Sequence, residues 1–191
     1  MSTNSVVAYL NEDGSVVSSY VHYDGYETGV GMMLLEHYNT DKCARDLAST
    51  LGYASSLSET VAESHADRVH TDEPETFESM EEFELYLMDN SHLEFGYLWT
   101  GGKWMVSSWT TTVEGTGPYA EYNSTWNGFH WLVTSFVREG RKTVDRFRDR
   151  ALEDNREGRT EYDEFADELE VTVDKWHRYG MSEIASEAMA A

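Results

Sequence analysis

The stretch from Tyr20 to Thr40 constrains this chain most, because in one short run the backbone must change from extended to helical. β-rich residues up to His22 lead into Asp24-Gly25. Val30, Met33, Leu34 and His37 then recur at helical spacing from about Gly29 to Tyr38. Strand, glycine turn and helix, in that order, place a layer of helix beside a layer of sheet. Gly25, Gly29 and Gly31 supply backbone freedom where a positive φ or a close approach is needed. His22, Asp24, Tyr26, His37 and Tyr38 are packed into the same transition, so a titratable cluster accompanies the turn.

Upstream, Val6 to Leu10 and Ser15 to His22 are strand-like runs separated by Asn11-Glu12-Asp13-Gly14, which predicts a hairpin. Downstream, Thr40 is a predicted N-cap and Gly52 a predicted stop, with Ala44, Leu47, Ala48 and Leu51 as the apolar stripe between them. From Ser55 to His70 the pattern fades, and a loop with about one helical turn is expected. Ser79-Met80-Glu81-Glu82 is a capping box, opening a helix that turns Met80, Phe83, Leu87 and Tyr86 inward. Phe95, Tyr97 and Trp99 alternate into Thr100-Gly101-Gly102-Lys103, and Trp104, Val106 and Ser108 return, which predicts a second hairpin with an aromatic face. These aromatic residues are expected to stabilise the sheet.

The texture changes through Thr110 to Thr112 and Gly115 to Pro118, where a boundary is expected. Phe129, Leu132, Val133, Phe136 and Val137 then mark a helix, which Val144, Phe147 and Ala151 continue or follow beyond Gly140, as far as Asn155 to Gly158. Tyr162, Phe165, Leu169, Val173 and Trp176 mark another, started at Thr160 to Asp163 and closed by Gly180. The fold class read from this pattern is α+β: a small antiparallel sheet of two hairpins packed with short helices, followed by a C-terminal helical extension. The domains read as 1–112, carrying the central motif, and 113–191, the helical extension.

Composition narrows the functions. With 14 Lys and Arg against 36 Asp and Glu the formal charge is −22, which repels nucleic acid and anionic membranes. Neither direct nucleic-acid binding nor membrane binding is expected. The same charge suits a surface that occupies the basic groove of a DNA-binding enzyme; it also suits solubility in salt or a compositional drift of the genome. Residues 59 to 94 hold twelve acidic residues and one basic residue, Arg68. That run reads as the solvated face of a short helix and its lead-in, or as a partner-binding patch. Cys43 is the sole cysteine, so an intramolecular disulfide and a cysteine zinc site are excluded. No leader-like N-terminus or long apolar run is read in the sequence, so a cytoplasmic location is expected.

The candidate ligand-binding set is His22, Asp24, Gly25, Tyr26, Gly29, Gly31, His37 and Tyr38. His22, Asp24 and His37 are metal-capable types, but their spacing matches no local ligand pattern, so no metal and no cofactor is expected. The glycines precede a helix whose first amides suit an anion, although Asp24 and Glu27 oppose one. No nucleophile is placed beside a His-Asp pair, so no catalytic residue is assigned. Alternatively, Asp24 caps the turn, the histidines are satisfied structural residues, and the tyrosines fill space between helix and sheet.

At His22 to Tyr26, Gly29 to Gly31 and His37 to Thr40 the sequence resembles a widespread family of small phage-encoded proteins of unknown function. In that family a His-aromatic-Asp-Gly-Tyr turn precedes Gly-Val-Gly and an apolar helix ending His-Tyr-Asn-Thr. A second similarity is Tyr97-Leu98-Trp99 followed by Gly101-Gly102-Lys103-Trp104. The family often carries Trp and Pro where this chain has Tyr23 and Glu27, and residues from about 113 onward have no counterpart. The resemblance implies a phage protein acting in the host cytoplasm.

The expected function is that of an acidic accessory protein, not an enzyme, which binds and neutralises a host defence or regulatory component, either a protein partner or a small nucleotide-like ligand. One alternative is an enzyme acting on a nucleotide-like or phosphorylated signal, with His22 and His37 as acid and base and Asp24 orienting an imidazole. The other is an acidic protein with a structural role only. Self-association as a dimer is expected through the helical tail. Phe129, Leu132, Phe136, Phe147, Tyr162, Phe165, Leu169 and Trp176 offer more apolar area than free-standing helices bury among themselves.

Overall fold

In chain order the computed structural model contains β1 (Ser5–Leu10), β2 (Val16–Val21), a π-helical turn (Glu27–Gly31), α1 (Met32–His37), α2 (Asp41–Thr50), β3 (Tyr53–Ala54), α3 (Val61–Ala66), β4 (Glu75–Phe77) and α4 (Met80–Asp89). It continues with β5 (Phe95–Thr100), β6 (Lys103–Glu114), β7 (Glu121–Trp126), β8 (His130–Trp131), α5 (Leu132–Asp154) and α6 (Glu161–Ala190). The structure describes residues 2–66, 72–114, 121–154 and 161–190. They fall into two units, Met1–Trp131 and Leu132–Ala191.

Both predicted hairpins form. Gly14 turns β1 into β2 at φ 88°, and Gly101 and Gly102, at φ 57° and 78°, give β5–β6 the left-handed pair a tight two-residue connection needs. The sheet they build is larger than expected and mixed rather than antiparallel. Eight strands run in the order β3-β2-β1-β5-β6-β7, with β4 also beside β2 and β8 beside β6. The hairpins meet through a parallel seam, Ser5 to Tyr9 against Phe95 to Trp99. The long crossover between β2 and β5 carries α1 to α4 and makes that parallel pairing possible.

Register sorts the core. Val7, Tyr97 and Val106 share one face, under α1 and α2, where the Ser19 hydroxyl donates to the Ala48 carbonyl and Trp104 Nε1–H to the Tyr38 carbonyl. Val6, Ala8, Val16 and Leu98 share the other and pack with Phe77, Phe83, Leu87 and Leu93. Full burial of each of these large side chains contributes about 1.5–3 kcal/mol. The aromatic face of the second hairpin is core, with Trp99 and Trp104 edge-on at 5.4 Å. Thr40 accepts the Cys43 N–H and Gly52 follows α2 at φ 66°, as its sequence predicts. Ser79 accepts the Glu82 N–H, but the Glu82 carboxylate takes the Glu78 N–H, one residue upstream of the reciprocal capping-box partner.

Several expectations change. The boundary placed after residue 112 falls inside β6, and part of the expected helical extension is β7 and β8. Phe129 precedes β8 and stacks on Phe83 instead of starting a helix. α5 runs unbroken through Gly140, and α6 continues past Gly180, because the residues beyond it are mostly good helix formers and one interior glycine costs only about 1 kcal/mol. The connections expected at Gly115 to Pro118 and at Asn155 to Gly158, the helix start at Thr160, and Arg68 lie outside the described residues.

The second unit is a helix pair. α6 buries Ala166, Leu169, Val173 and Trp176, and α5 buries Val144 and Ala151. Phe147 sits 4.6 Å from Phe165, and Arg148 spans the two helices to Asp167 and Glu170.

Candidate functional site

The central turn is held by its own backbone. Asp24 carries the left-handed conformation, at φ 59°, whereas Gly25 and Gly29 are needed for close approach. The Gly25 N–H donates to the Thr3 carbonyl at 2.8 Å, and a Cβ on Gly25 would lie 2.7 Å from that oxygen. A Cβ on Gly29 would lie 2.2 Å from the Asp24 carbonyl, which accepts the Val30 N–H at 2.7 Å. From the sheet, the fully buried Tyr97 hydroxyl donates to the Gly25 carbonyl at 2.8 Å and accepts the Gly31 N–H. Burial, with the Glu27 carboxylate nearby, pushes this phenol well above its ordinary pKa. Tyr97 thus pins both ends of the turn.

The amides that suit an anion by sequence are committed internally: Gly29 and Gly31 donate to the Tyr26 carbonyl, and Val30 donates to the Asp24 carbonyl. The exposed Tyr26 donates to Asp24 Oδ1 at 3.1 Å, and burial, then the Asp24 charge, raises its pKa. Tyr38 is buried, with its hydroxyl on the Ser58 carbonyl at 2.8 Å, and burial dominates the rise in its pKa.

The two histidines go separate ways. His37 is exposed in the last turn of α1. His22 has Nδ1 3.1 Å from the Tyr20 hydroxyl and packs by its ring against Tyr23 at 4.3 Å and Tyr53 at 6.5 Å. Among the described residues no hydrogen bond joins Asp24 to either imidazole, and no group of three His, Cys, Asp or Glu side chains is placed to hold a metal.

Among the described residues, neither of two open surface cavities takes a wall from the eight candidate residues. One, of about 390 Å³, is lined by Ser91, Glu94, Phe95, Trp109, Thr111 and Ser124. The other, of about 290 Å³, lies at the outer edge of β2, beside the aromatic group that receives His22. Tyr20, Tyr53 and Tyr86 form its walls, and Asp72, Glu73 and Glu75 also line it. Burial, then a hydrogen bond to Glu75, raises the Tyr86 pKa strongly. Sequence reasoning noted the acidic run but not this cavity, because strand pairing brings Tyr53 and Glu75 to β2 and the packing of α4 brings Tyr86, contacts far apart in sequence.

No protein-family model matches the chain, and no match is found among curated proteins or solved structures. Among the described residues, no helix is long and apolar enough to cross a membrane.

Proposed function

We propose that this chain is a phage-encoded acidic accessory protein that binds and neutralises a basic host protein, and that it does no chemistry at its central turn. One observation carries the choice of partner: among the described residues, the lining of the cavity beside β2 presents three carboxylates and three tyrosines and no Lys, Arg or His, which favours a cation over a phosphate. A basic protein therefore suits the chain better than a nucleotide-like ligand. The formal charge of −22 supplies the long-range attraction and an on-rate sensitive to salt. The phage origin is supported by the likeness of His22 to Tyr26, Gly29 to Gly31 and His37 to Thr40 to the small phage proteins.

Self-association belongs to the same proposal, supported by Met181, Ile184 and Met189, all exposed near the end of α6.

The test is capture from host lysate with the immobilised chain at low and high salt, with duplex DNA as competitor. Basic DNA-binding proteins should be retained at low salt and released by DNA. Retention of none, or retention indifferent to DNA and salt, would refute the reading.

A further inference from the structure

The outer edge of β2 is shared by two short strands. β4 pairs with Val16 to Ser18 and β3 pairs with Tyr20 and Val21, so the ladder is interrupted where the two meet. The cavity of about 290 Å³ opens at that notch. Because Val6 lies opposite Tyr20 and Ala8 opposite Ser18, the side chains of Val6, Ser18 and Tyr20 project to the same face.

Three features of the lining bear on what could enter. Tyr20 and Tyr53 stack with centroids 5.5 Å apart and 28° between planes, and Tyr86 adds a third ring, so the walls expose electron-rich faces. Asp72, Glu73 and Glu75 bring exposed carboxylates to the lining, with Glu75 also hydrogen-bonded to Tyr86. Ser18, only 2 % exposed, adds a hydroxyl on the same face as Val6 and Tyr20.

We infer that this cavity is a cation-reading site that takes a guanidinium or ammonium group on an alkyl stem. The planar guanidinium fits it better, since it stacks on tyrosine faces while donating in pairs to carboxylates. The stem lies on Val6 and the tyrosine rings, the head meets Glu75 and its neighbours, and Ser18 accepts one N–H. A cavity this size, just below the roughly 300–1,000 Å³ of sites for whole drug-like ligands, suits one side-chain head and stem. The group could be an arginine or lysine side chain of a partner or a free alkylamine. The inference rests on the proposal above that the partner is basic, and it specifies where that charge is read.

The experiment is calorimetric titration of the whole chain with agmatine, with a blocked arginine amide, and with the blocked citrulline amide as neutral isostere. Saturable one-to-one binding of agmatine or the arginine amide is expected, with citrulline at least about tenfold weaker because it lacks the charge-assisted bonds. Binding of the arginine amide alone identifies a partner side chain as the source; agmatine binding as tightly identifies a free amine. Glu75→Gln, at an exposed position, and Tyr53→Leu should each weaken binding at least about threefold, while Glu183→Gln on α6 should not. Thermal melts report whether each variant is folded.

Absence of saturable binding, equal binding of citrulline, or an equal loss in Glu183→Gln would overturn the inference. Repeating the lysate capture with Glu75→Gln separates the two claims. Undiminished capture of basic proteins by a variant that no longer binds either cation leaves the broader proposal standing and removes the pocket from it. Cation binding without any capture does the reverse.

Discussion

Tyr97→Phe tests whether the central turn is a structural pin. The substitution removes one oxygen from a fully buried site and leaves ring packing unchanged. The Gly25 carbonyl loses its donor at 2.8 Å, while the Gly31 N–H keeps only the Tyr26 carbonyl at 3.3 Å. Leaving one buried carbonyl unsatisfied costs about 1–3 kcal/mol, so about 2 kcal/mol is expected. For a cooperative unit of 131 residues the unfolding entropy is about 0.28 kcal/mol/K, which converts 2 kcal/mol into a fall in Tm of about 7 °C. Calorimetry on the wild-type and variant chains measures this directly. In urea the midpoint should fall with the slope unchanged. Hydrogen exchange should quicken at the Val30 and Gly31 amides before the rest of the sheet, because the turn loosens locally. A fall in Tm below about 2 °C, corresponding to roughly 0.5 kcal/mol, would show that the hydroxyl does not hold the turn.

Three further outcomes follow from the same structure. Gly29→Ala places a methyl 2.2 Å from the Asp24 carbonyl and breaks the Val30 bond, so a loss of about 3 kcal/mol or more is expected by urea titration, against under about 0.5 kcal/mol for Glu183→Gln. Burial raises the Glu139 carboxyl pKa, but hydrogen bonds from Lys142 and Arg138 outweigh it and hold the group below its ordinary value of 4.5. Its stabilising contribution is therefore present above pH 4.5 and lost as pH falls through the folded value, so Glu139→Gln should flatten the acid limb of the stability profile there. Light scattering should give twice the 21.8 kDa chain mass, and Ile184→Glu should return the monomer; a monomer across a tenfold concentration range refutes the dimer.

What was legible in the sequence was local chemistry. Gly14, Gly101 and Gly102 announced their turns, Thr40 and Ser79 their helix starts, and Ala44, Leu47, Ala48 and Leu51 their buried stripe. What was illegible was pairing over distance. Val6 to Leu10 is an unbroken apolar run, which marks a strand buried on both faces but does not name its neighbour, so the partner in the seam with β5 could not be read. β3, β4 and β8, two or three residues each, are too short to show a period. The turn misled for a related reason. Proximity in sequence grouped His22 with His37, yet His22 continues toward the Tyr20 and Tyr53 rings while α1 ends with His37 exposed. The left-handed residue is Asp24, not its glycine neighbour, because Asp tolerates that region and Gly25 is required by the approach of Thr3.

The acidic run acquires a specific position through Pro74. Proline lacks an N–H, so a strand can begin after it but cannot extend its ladder back through it. β4 accordingly starts at Glu75, pairing with Ser18, and the residues before it, Asp72 and Glu73, line the cavity without joining the sheet. Had the ladder continued upstream, it would have run alongside Tyr20, in the place β3 takes, and closed the notch. Two short strands on one edge thus keep a row of tyrosines open beside three carboxylates. An acidic surface alone would attract basic proteins without distinguishing among them. On the proposed reading, the same carboxylates set around an aromatic recess would also favour a partner with one projecting guanidinium, adding local selection to the long-range attraction of the chain's net charge.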